Sequence, residues 1–561
     1  MTFRLTFLAL GLAAAALAGP KTSPDLNGLI PGSQVPVIVQ YTHQPDAADL
    51  DRLTKKGAIS IKPMKKLRAV AAQLPVEALQ PLSESPEVAY ISADRRVLRA
   101  VDYTVAATGA DIAVRYGYDG RGVTVAVIDS GIADHPDLRD PATKASRALY
   151  HESFVSSGQG QAKQDGYGHG THVAGIIGGN GASNSALHGI APQVRLVDLQ
   201  ALDGDGVGSD SSVVAAIDRA IELKDVYGIR VINLSLGRPI WESYRLDPIC
   251  QAVEAAWKAG LVVVVAAGNY GRTGFPGSDG YWTVTAPGND PYALTVGAMK
   301  AMQTPGRQDD LVASYSSKGP TLFDSVVKPD LVAPGNLVKS LLSSPNATLA
   351  KEFPESVIPA AKGQAQYIWL SGTSMAAAAV SGAVTLLVEA NPGLTPDQVK
   401  FRLMKTAAKT FPATSVVVDP GSGQAYRSQY DVFTIGAGYL DVLAALSDSS
   451  RPSGTSLSPS ATLGDEGVVT VTTAAGSVWS TLGSLSAAWG SAVFLPSDQS
   501  AAWGSSVAWG SSAAWGSSAA WGSSAAWGSS AAWGSSSHGG ASEALRTSAA
   551  WGSAMPAAGE F

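Results

Sequence analysis

QYIWLSGTSMAAAAVSGAVTLLVEA, Gln366 to Ala390, holds the transition that decides how the chain folds. Tyr367 to Leu370 is a short apolar run of strand character, Gly372 to Ser374 is a small-residue turn, and the Ala/Val/Leu segment beyond reads as a buried helix. The reading places the Ser374 hydroxyl at a helix N-terminus. Unpaired N–H groups and the positive end of the helix dipole there favour a developing anion, which is what a nucleophile attacking a carbonyl creates. A serine at such a boundary also serves as a helix cap. This stretch alone leaves both roles open.

Working outward, strand-then-helix units repeat from about Val101 to Leu446. GVTVAVIDSGI and GLVVVVAAGN hold near-continuous runs of Val, Ile and Ala, as parallel strands buried on both faces require, and VRLVDLQAL and IRVINLSLG continue the series. Between them, SDSSVVAAIDRAIELKDVYG has Ser/Asp cap candidates, apolar Val213, Ile217 and Ile221 at helical spacing, and Gly228 as a stop. The expected fold is α/β, a doubly wound, mostly parallel sheet, whose sites form outside the carboxyl ends of the strands.

The block before it alternates differently. Strands at Val35–Tyr41, Ala58–Met64, Leu67–Leu74 and Val88–Ser92, with helices near Asp46–Lys56 and Val76–Glu84, give the β-α-β-β-α-β order of a small ferredoxin-like α+β domain. Its lysines read as a solvated face. Ahead of it, Arg4 and the apolar run Leu5 to Ala18, ending in Ala16-Leu17-Ala18, match a secretory signal peptide. Beyond Ser447 the composition turns to Ser, Gly, Pro and Thr, as in a linker, with some β character around Gly467–Thr472, and then AAWGSS repeats with Trp503, Trp509, Trp515, Trp521, Trp527 and Trp533 in register. Such low complexity reads as a flexible tail. The expected division is therefore a leader (1–19), a small domain (35–100), the α/β domain (101–446), a linker (447–486) and a Trp-Gly-Ser repeat tail (487–561).

With 561 residues and a net charge of −6, nothing points to nucleic acid as a partner. No segment after the leader offers the roughly 20 uninterrupted apolar residues of a membrane span. Cys250 is the only cysteine, so no intramolecular disulfide forms, and its helical setting reads as a buried, inert thiol.

Four residue types carry the chemistry. Asp129 ends the strand TVAVID, where a carboxylate is well placed to hold a partner, although a turn or capping role fits the same position. DGYGHGTHVAGIIGG contains His169, expected at a helix start and exposed on the cleft side, and His172, expected to point into packing. An H-x-x-H metal pair is disfavoured because the glutamate and spacing of HExxH are missing. Asn269 follows a buried strand, where its amide can donate to an oxyanion or simply occupy a turn. INLSLG and LDGDGVGS suit an extended peptide lying along the backbone, whereas Asp203 and Asp205 lack the remaining ligands of a calcium loop.

VAVIDSGI, HGTHVAGI, VVAAGN and LSGTSMA resemble the signature segments of subtilisin-like serine peptidases, and the Asp…His…Ser order is that of subtilisin. The likeness covers roughly Gly109 to Leu446, and the preceding block resembles the family's inhibitory propeptide. The resemblance implies that Ser374 attacks the peptide carbonyl, His169 transfers the proton and Asp129 orients the imidazole. It also implies that Asn269 and the Ser374 N–H hold the oxyanion. Gly206-Val207-Gly208 and Ser235-Leu236-Gly237 look like the strands that sandwich the substrate backbone. Ala266, Ala267 and Gly268 look like a pocket wall, and Thr285 falls at the pocket floor, favouring medium apolar side chains. The implied partners are protein or peptide substrates and the chain's own propeptide, released by self-cleavage near Arg99 to Asp102.

The implied chemistry needs no cofactor. Structural calcium is common in the family, but GGNGASNSALHGIAP lacks a match to its high-affinity loop, so no ligand is assigned. Where the family has a short polar residue, proline and histidine after Ser-Met-Ala, this chain has Ala377, Ala378 and Ala379, which suit a helix but leave its entry angle open. The leader implies secretion, and the tail offers a means of cell-surface association. An inactive, adhesive relative has no need of all four chemical residues. A lipase-type hydrolase requires G-x-S-x-G with its histidine after the serine, and here His169 precedes Ser374.

Overall fold

The computed structural model describes residues 21–23, 26, 32–64, 67–94, 102–155, 165–273, 278–359, 366–419, 424–463, 469–474 and 476–478. The expected leader and repeat tail lie outside the described residues. The chain divides into two compact units, Met1–Arg99 and Ala100–Phe561.

In the first unit the elements are β1 (Gln34–Tyr41), α1 (Ala47–Lys55), β2 (Ile59–Met64), β3 (Ala69–Pro75), α2 (Val76–Ser83) and β4 (Val88–Ala93). The strands form a sheet in the order β2-β3-β1-β4, and each pair is antiparallel. Alternation sets which side is buried: Val37 and Val39 of β1 and Val70, Ala72 and Leu74 of β3 point to one core with Leu53, Leu79 and Leu82 of the helices. Asp46 caps α1 by accepting from the N–H groups of Ala48 and Asp49. The unit also takes in residues ahead of β1, because Lys21 donates to the Ser85 and Val88 carbonyls and Ser23 N–H to the Ile91 carbonyl.

The second unit opens with two short helices, α3 (Thr104–Thr108) and α4 (Ala110–Arg115). There follow β5 (Thr124–Asp129), β6 (Ala148–Ser153), α5 (His169–Gly178), β7 (Arg195–Gln200), α6 (Asp210–Glu222), α7 (Lys224–Tyr227), β8 (Ile229–Leu234), α8 (Pro248–Lys258) and β9 (Val262–Ala266). β10 (Leu294–Lys300), β11 (Leu311–Val312), β12 (Leu331–Pro334), β13 (Val338–Leu341), α9 (Thr348–Glu352), β14 (Val357–Ile358) and β15 (Tyr367–Leu370) lead to α10 (Thr373–Ala390). The main sheet runs β11-β10-β9-β8-β5-β7-β6, with β12 also paired to β10. Every pairing in it is parallel except β10 with β11. This is the expected mostly parallel α/β sheet. β5 and β9 are buried along their whole length, which is why their sequences read as unbroken apolar runs.

α10 packs on α5 and across β8, β9 and β10. All but its last two residues are buried, the three alanines included. Among the described residues it is the helix long and apolar enough to cross a membrane, and its burial makes it a core helix. α6 and α8 pack on each other as a second helical layer.

After α11 (Pro396–Thr406), a hairpin of β16 (Thr414–Val418) and β17 (Ala425–Gln429), and two short helices, α12 (Val432–Ile435) and α13 (Val442–Ser447), the chain enters the stretch expected as linker. Its described part is fastened to the core. The Ser450 carbonyl accepts from Arg402, Ser456 bonds to Asp397, and Val327 N–H donates to the Pro459 carbonyl. A last hairpin, β18 (Ser460–Leu463) with β19 (Val469–Thr472), buries Ala461 and Val469. The composition reads as a linker with some β character around Gly467–Thr472, where β19 lies; the long-range bonds of its hydroxyls and backbone are not visible in local sequence.

Candidate active site

Asp129 ends β5 at the carboxyl edge of the sheet, and His169 opens α5. His169 Nδ1 lies 2.8 Å from Asp129 Oδ1 and 3.0 Å from Oδ2, so the imidazole carries its Nδ1 proton toward the carboxylate. The other ring nitrogen, Nε2, is buried with no hydrogen-bond partner. His169 is fully buried rather than exposed as expected, with the Tyr167 ring 6.3 Å from its own, centre to centre. Burial lowers the affinity of His169 for a proton, but the Asp129 charge and hydrogen bond, with Asp165 adding to them, more than offset this and raise its pKa above the ordinary histidine value. His172 does point into packing, and its Nε2 lies 3.2 Å from both the Val338 and Ile368 carbonyls. Burial and the neighbouring His169 push its pKa down to about 3, so His172 is a neutral structural donor.

Close approach between α5 and the Asp129 loop explains the glycine after His169. A Cβ on Gly170 would lie 2.2 Å from the Gly131 carbonyl oxygen and 3.2 Å from Asp129 Cβ. Sequence reading missed the two residues that fasten this contact. Asp165, fully buried, accepts from Gly168 N–H (2.7 Å), Thr171 N–H (2.8 Å) and the Ser130 hydroxyl (2.8 Å). Ser130 in turn accepts from Gly170 N–H at 2.9 Å, and its own N–H donates to Asp129 at 2.7 Å. One carboxylate thereby ties the residue after Asp129 to the first turn of the His169 helix. An acidic residue four positions before the helix start was the available signal.

Ser374 sits in the first turn of α10 and is not its cap. Asn269 supplies that function: its Oδ1 accepts from Thr373 N–H at 2.9 Å and from the Thr373 hydroxyl at 3.1 Å. With Oδ1 held there, the Nδ2 end is the donor end, and it faces Gly372, where a Cβ would lie 3.2 Å away. The Ser374 hydroxyl donates to the Ser235 carbonyl at 3.1 Å, and the Ser235 hydroxyl donates to the Ser374 carbonyl at 2.9 Å. Behind them, Asn233 Nδ2 donates to the Ser235 hydroxyl and Asn233 Oδ1 accepts from Ser381, each at 2.9 Å. This buried relay from β8 holds α10 at two points, Ser374 in its first turn and Ser381 two turns on. Asn233, a polar residue inside a buried strand, was the signal for it.

The other expected site residues fall in two groups. The strand after Ser235-Leu236-Gly237 pairs at Arg238 with Ala286, which brings Thr285 against it, and Thr285 N–H donates to the Ala267 carbonyl at 3.0 Å. Ala266, Ala267, Gly268 and Thr285 therefore meet Ser235, Leu236 and Gly237. Thr285 fills the space between the two walls, since a Cβ on Gly237 would lie 2.4 Å from its Oγ1 and one on Gly268 2.8 Å from its Cγ2. Gly206-Val207-Gly208 is a separate turn that packs Gly206 on Tyr167 and leaves Val207 43% exposed. The Asp203 carboxylate accepts from Asp205 and Val207 N–H groups, so it shapes that turn from within. Among the described residues, no three His, Cys, Asp or Glu side chains gather as a metal set. The Cys250 thiol is buried, donates to Asn289, and has its pKa raised well above the usual range by burial.

A hydroxyl in the first turn of a helix with an amide side chain at that helix start, and an imidazole whose proton position is fixed by a carboxylate, are the kinds of group that acyl transfer uses. The family model described as the subtilase family matches residues 120–438. Serine protease AprX of Bacillus subtilis (strain 168) is 36% identical over 344 residues, which are 60% of this chain and 73% of AprX. Subtilisin E of the same organism is 34% identical over 361 residues, 64% of this chain and 80% of the relative. A solved structure, Sphericase, aligns with 62% of this chain and 100% of its own at 26% identity, with a TM-score of 0.45. The family match spans more than half of the 561 residues and all four signature segments, and on that ground the chain belongs to the subtilase family as a subtilisin-like serine endopeptidase.

Proposed function

We propose that Ser374 is the nucleophile, His169 the general base and then acid, Asp129 the group that orients and charge-balances the imidazole, and Asn269 Nδ2 with the Ser374 N–H the oxyanion donors. The observation that carries this reading is the buried Asp129–His169 pair at 2.8 Å, which leaves Nε2 as the proton acceptor. In the resting arrangement the Ser374 hydroxyl faces the Ser235 carbonyl, so its rotation toward Nε2 begins the reaction. The acyl-enzyme forms as His169 passes that proton to the leaving amine, and water then reverses the sequence.

The protein is read as secreted through its leader and made as a self-processing precursor, with the unit ending at Arg99 acting as propeptide. Support comes from the division between Arg99 and Ala100 and from Asp102, partly buried and accepting from the Lys339 and Thr104 N–H groups, which anchors the start of the mature enzyme. Intact-mass comparison of the wild type with Ser374→Ala tests this. Loss of a fragment ending near Arg99 from the wild type alone is expected, and equal processing of both would count against self-cleavage.

Three outcomes follow from the site. A protonated His169 cannot accept the serine proton, so kcat/KM is expected to fall as pH drops through a midpoint above about 6.5. Asp165→Asn, which removes a charge that raises the His169 pKa, is expected to shift that midpoint down by a few tenths of a unit and slow the reaction by about tenfold. A profile between pH 5 and 9 that did not move would contradict it. Thr285 shortens the specificity pocket and favours medium apolar side chains. Thr285→Gly is expected to raise the kcat/KM ratio of large aromatic over medium apolar peptides by about tenfold, and an unchanged ratio would refute the assignment.

A further inference from the structure

Arg272 follows Asn269 along the chain, and its guanidinium joins separate parts of the second unit. Its Nε donates to the Ser314 hydroxyl at 2.7 Å, one terminal nitrogen donates to Asp419 Oδ2 at 3.1 Å, and Cζ lies 5.0 Å from the centre of the Tyr426 ring. Asp419 directly follows β16 and Tyr426 belongs to β17, so the hairpin grips the arginine by edge and by face, as a planar guanidinium allows. The Arg272 and Asp419 side chains are only 11% and 19% exposed, which separates this pair from an open surface contact.

The loop that carries Asn269 is fastened along Ser314–Ser317. Ser317 N–H donates to the Gly268 carbonyl at 2.9 Å, Tyr270 N–H to the Ser317 hydroxyl at 3.1 Å, and Gly271 N–H to the Tyr315 carbonyl at 2.8 Å. A Cβ on Gly271 would lie 2.3 Å from the Ser316 carbonyl oxygen, so the two backbones run in contact. Asn269 therefore sits between two tied residues. The Tyr315 hydroxyl donates at 2.8 Å to the Gly335 carbonyl, which also accepts from Gly372 N–H at 2.8 Å. One segment thus reaches both the loop of the amide donor and the turn that leads into α10. Arg272 closes the far end of this fastening on Ser314, and the hairpin behind it is anchored at its base, where Val312 N–H donates to the Tyr430 hydroxyl at 2.9 Å and Tyr430 N–H to the Ala413 carbonyl at 3.1 Å.

We propose that Arg272 is a positioning residue: gripped by the β16–β17 hairpin, it holds the loop that aims the Asn269 amide at the oxyanion. The inference rests on the oxyanion role proposed above for Asn269. A donor of that kind gains most of its strength in the transition state, and a misplacement of about 1 Å can cost about 100-fold in rate. Loosening the loop therefore acts on kcat and leaves KM nearly untouched.

The test is a double-mutant cycle on a chromogenic peptide with the purified full-length protein, with Tm recorded for each variant. Arg272→Met is expected to lower kcat about tenfold in the wild type, and by less than about twofold where Asn269→Ala is already present, because the group it positions is then gone. Arg272→Lys, which keeps a charge facing Asp419 but loses the planar fork, is expected to recover part of the loss, to about threefold below wild type. Asp419→Asn, which removes one contact alone, is expected to cost about threefold with the same dependence on Asn269, and it carries the cycle if Arg272→Met does not fold. The inference is overturned if these variants turn over at the wild-type rate, if their losses are the same in both backgrounds, as a general loosening of the fold would give, or if the losses lie in KM. Near-normal kcat in Asn269→Ala itself would overturn the oxyanion role, and the inference with it.

Discussion

Ser374→Ala is expected to reduce kcat for peptide hydrolysis by about a millionfold, the scale on which a nucleophile and its base act as one unit, while KM changes little. The fold should tolerate the change. Ser374 Oγ makes one neutral hydrogen bond, to the Ser235 carbonyl, and the backbone contacts that position the residue survive, because Ser235 Oγ still donates to the residue-374 carbonyl. Losing that one bond costs about 1 kcal/mol, too little to unfold a domain of this size. His169→Ala in the same background should therefore add almost nothing to the loss. Initial rates on a chromogenic peptide for the two single variants and the double variant check this, and multiplicative losses would contradict a coupled pair.

Asn269→Ala is expected to lower kcat by about 100- to 1000-fold, again with KM nearly unchanged, because a donor aimed at the oxyanion gains most of its strength in the transition state. This residue has a second duty in the structure, since its Oδ1 accepts from Thr373 N–H and hydroxyl at the start of α10. Asn269→Asp separates the two roles. It keeps the acceptor for Thr373 and removes the donor, so a rate loss as large as that of alanine is expected with a smaller loss of Tm. Steady-state kinetics and thermal unfolding on both variants decide it. Near-normal kcat in Asn269→Asp would show that the amide donor is not used.

The strand and helix pattern was legible wherever burial imposes a period or an unbroken apolar run. β5, β9 and α10 stand where their sequences place them, and the six elements of the first unit fall within a few residues of expectation. The same holds for the chemistry-bearing ends of those elements, because Asp129 closes a buried strand and His169 and Ser374 open helices. Polar pairings across long sequence distances left no such trace. Asp165 reaching Ser130, Asn233 reaching Ser381, and Ser458 reaching Lys400 each join segments whose proximity exists only after the sheet has formed. The exposure of His169 was misread for a related reason: position on a helix fixes direction, but what lies over the side chain is decided by tertiary packing.

Covalent trapping shows whether His169 activates Ser374 for attack on an electrophile. The purified protein and its His169→Ala variant would be incubated with a fluorophosphonate at pH 8, digested, and the adduct located by peptide mass. Stoichiometric modification of Ser374 is expected in the wild type, with at least about a thousandfold slower labelling in the variant. Adduct on another residue, no adduct in correctly folded protein, or equal labelling rates in both would contradict it.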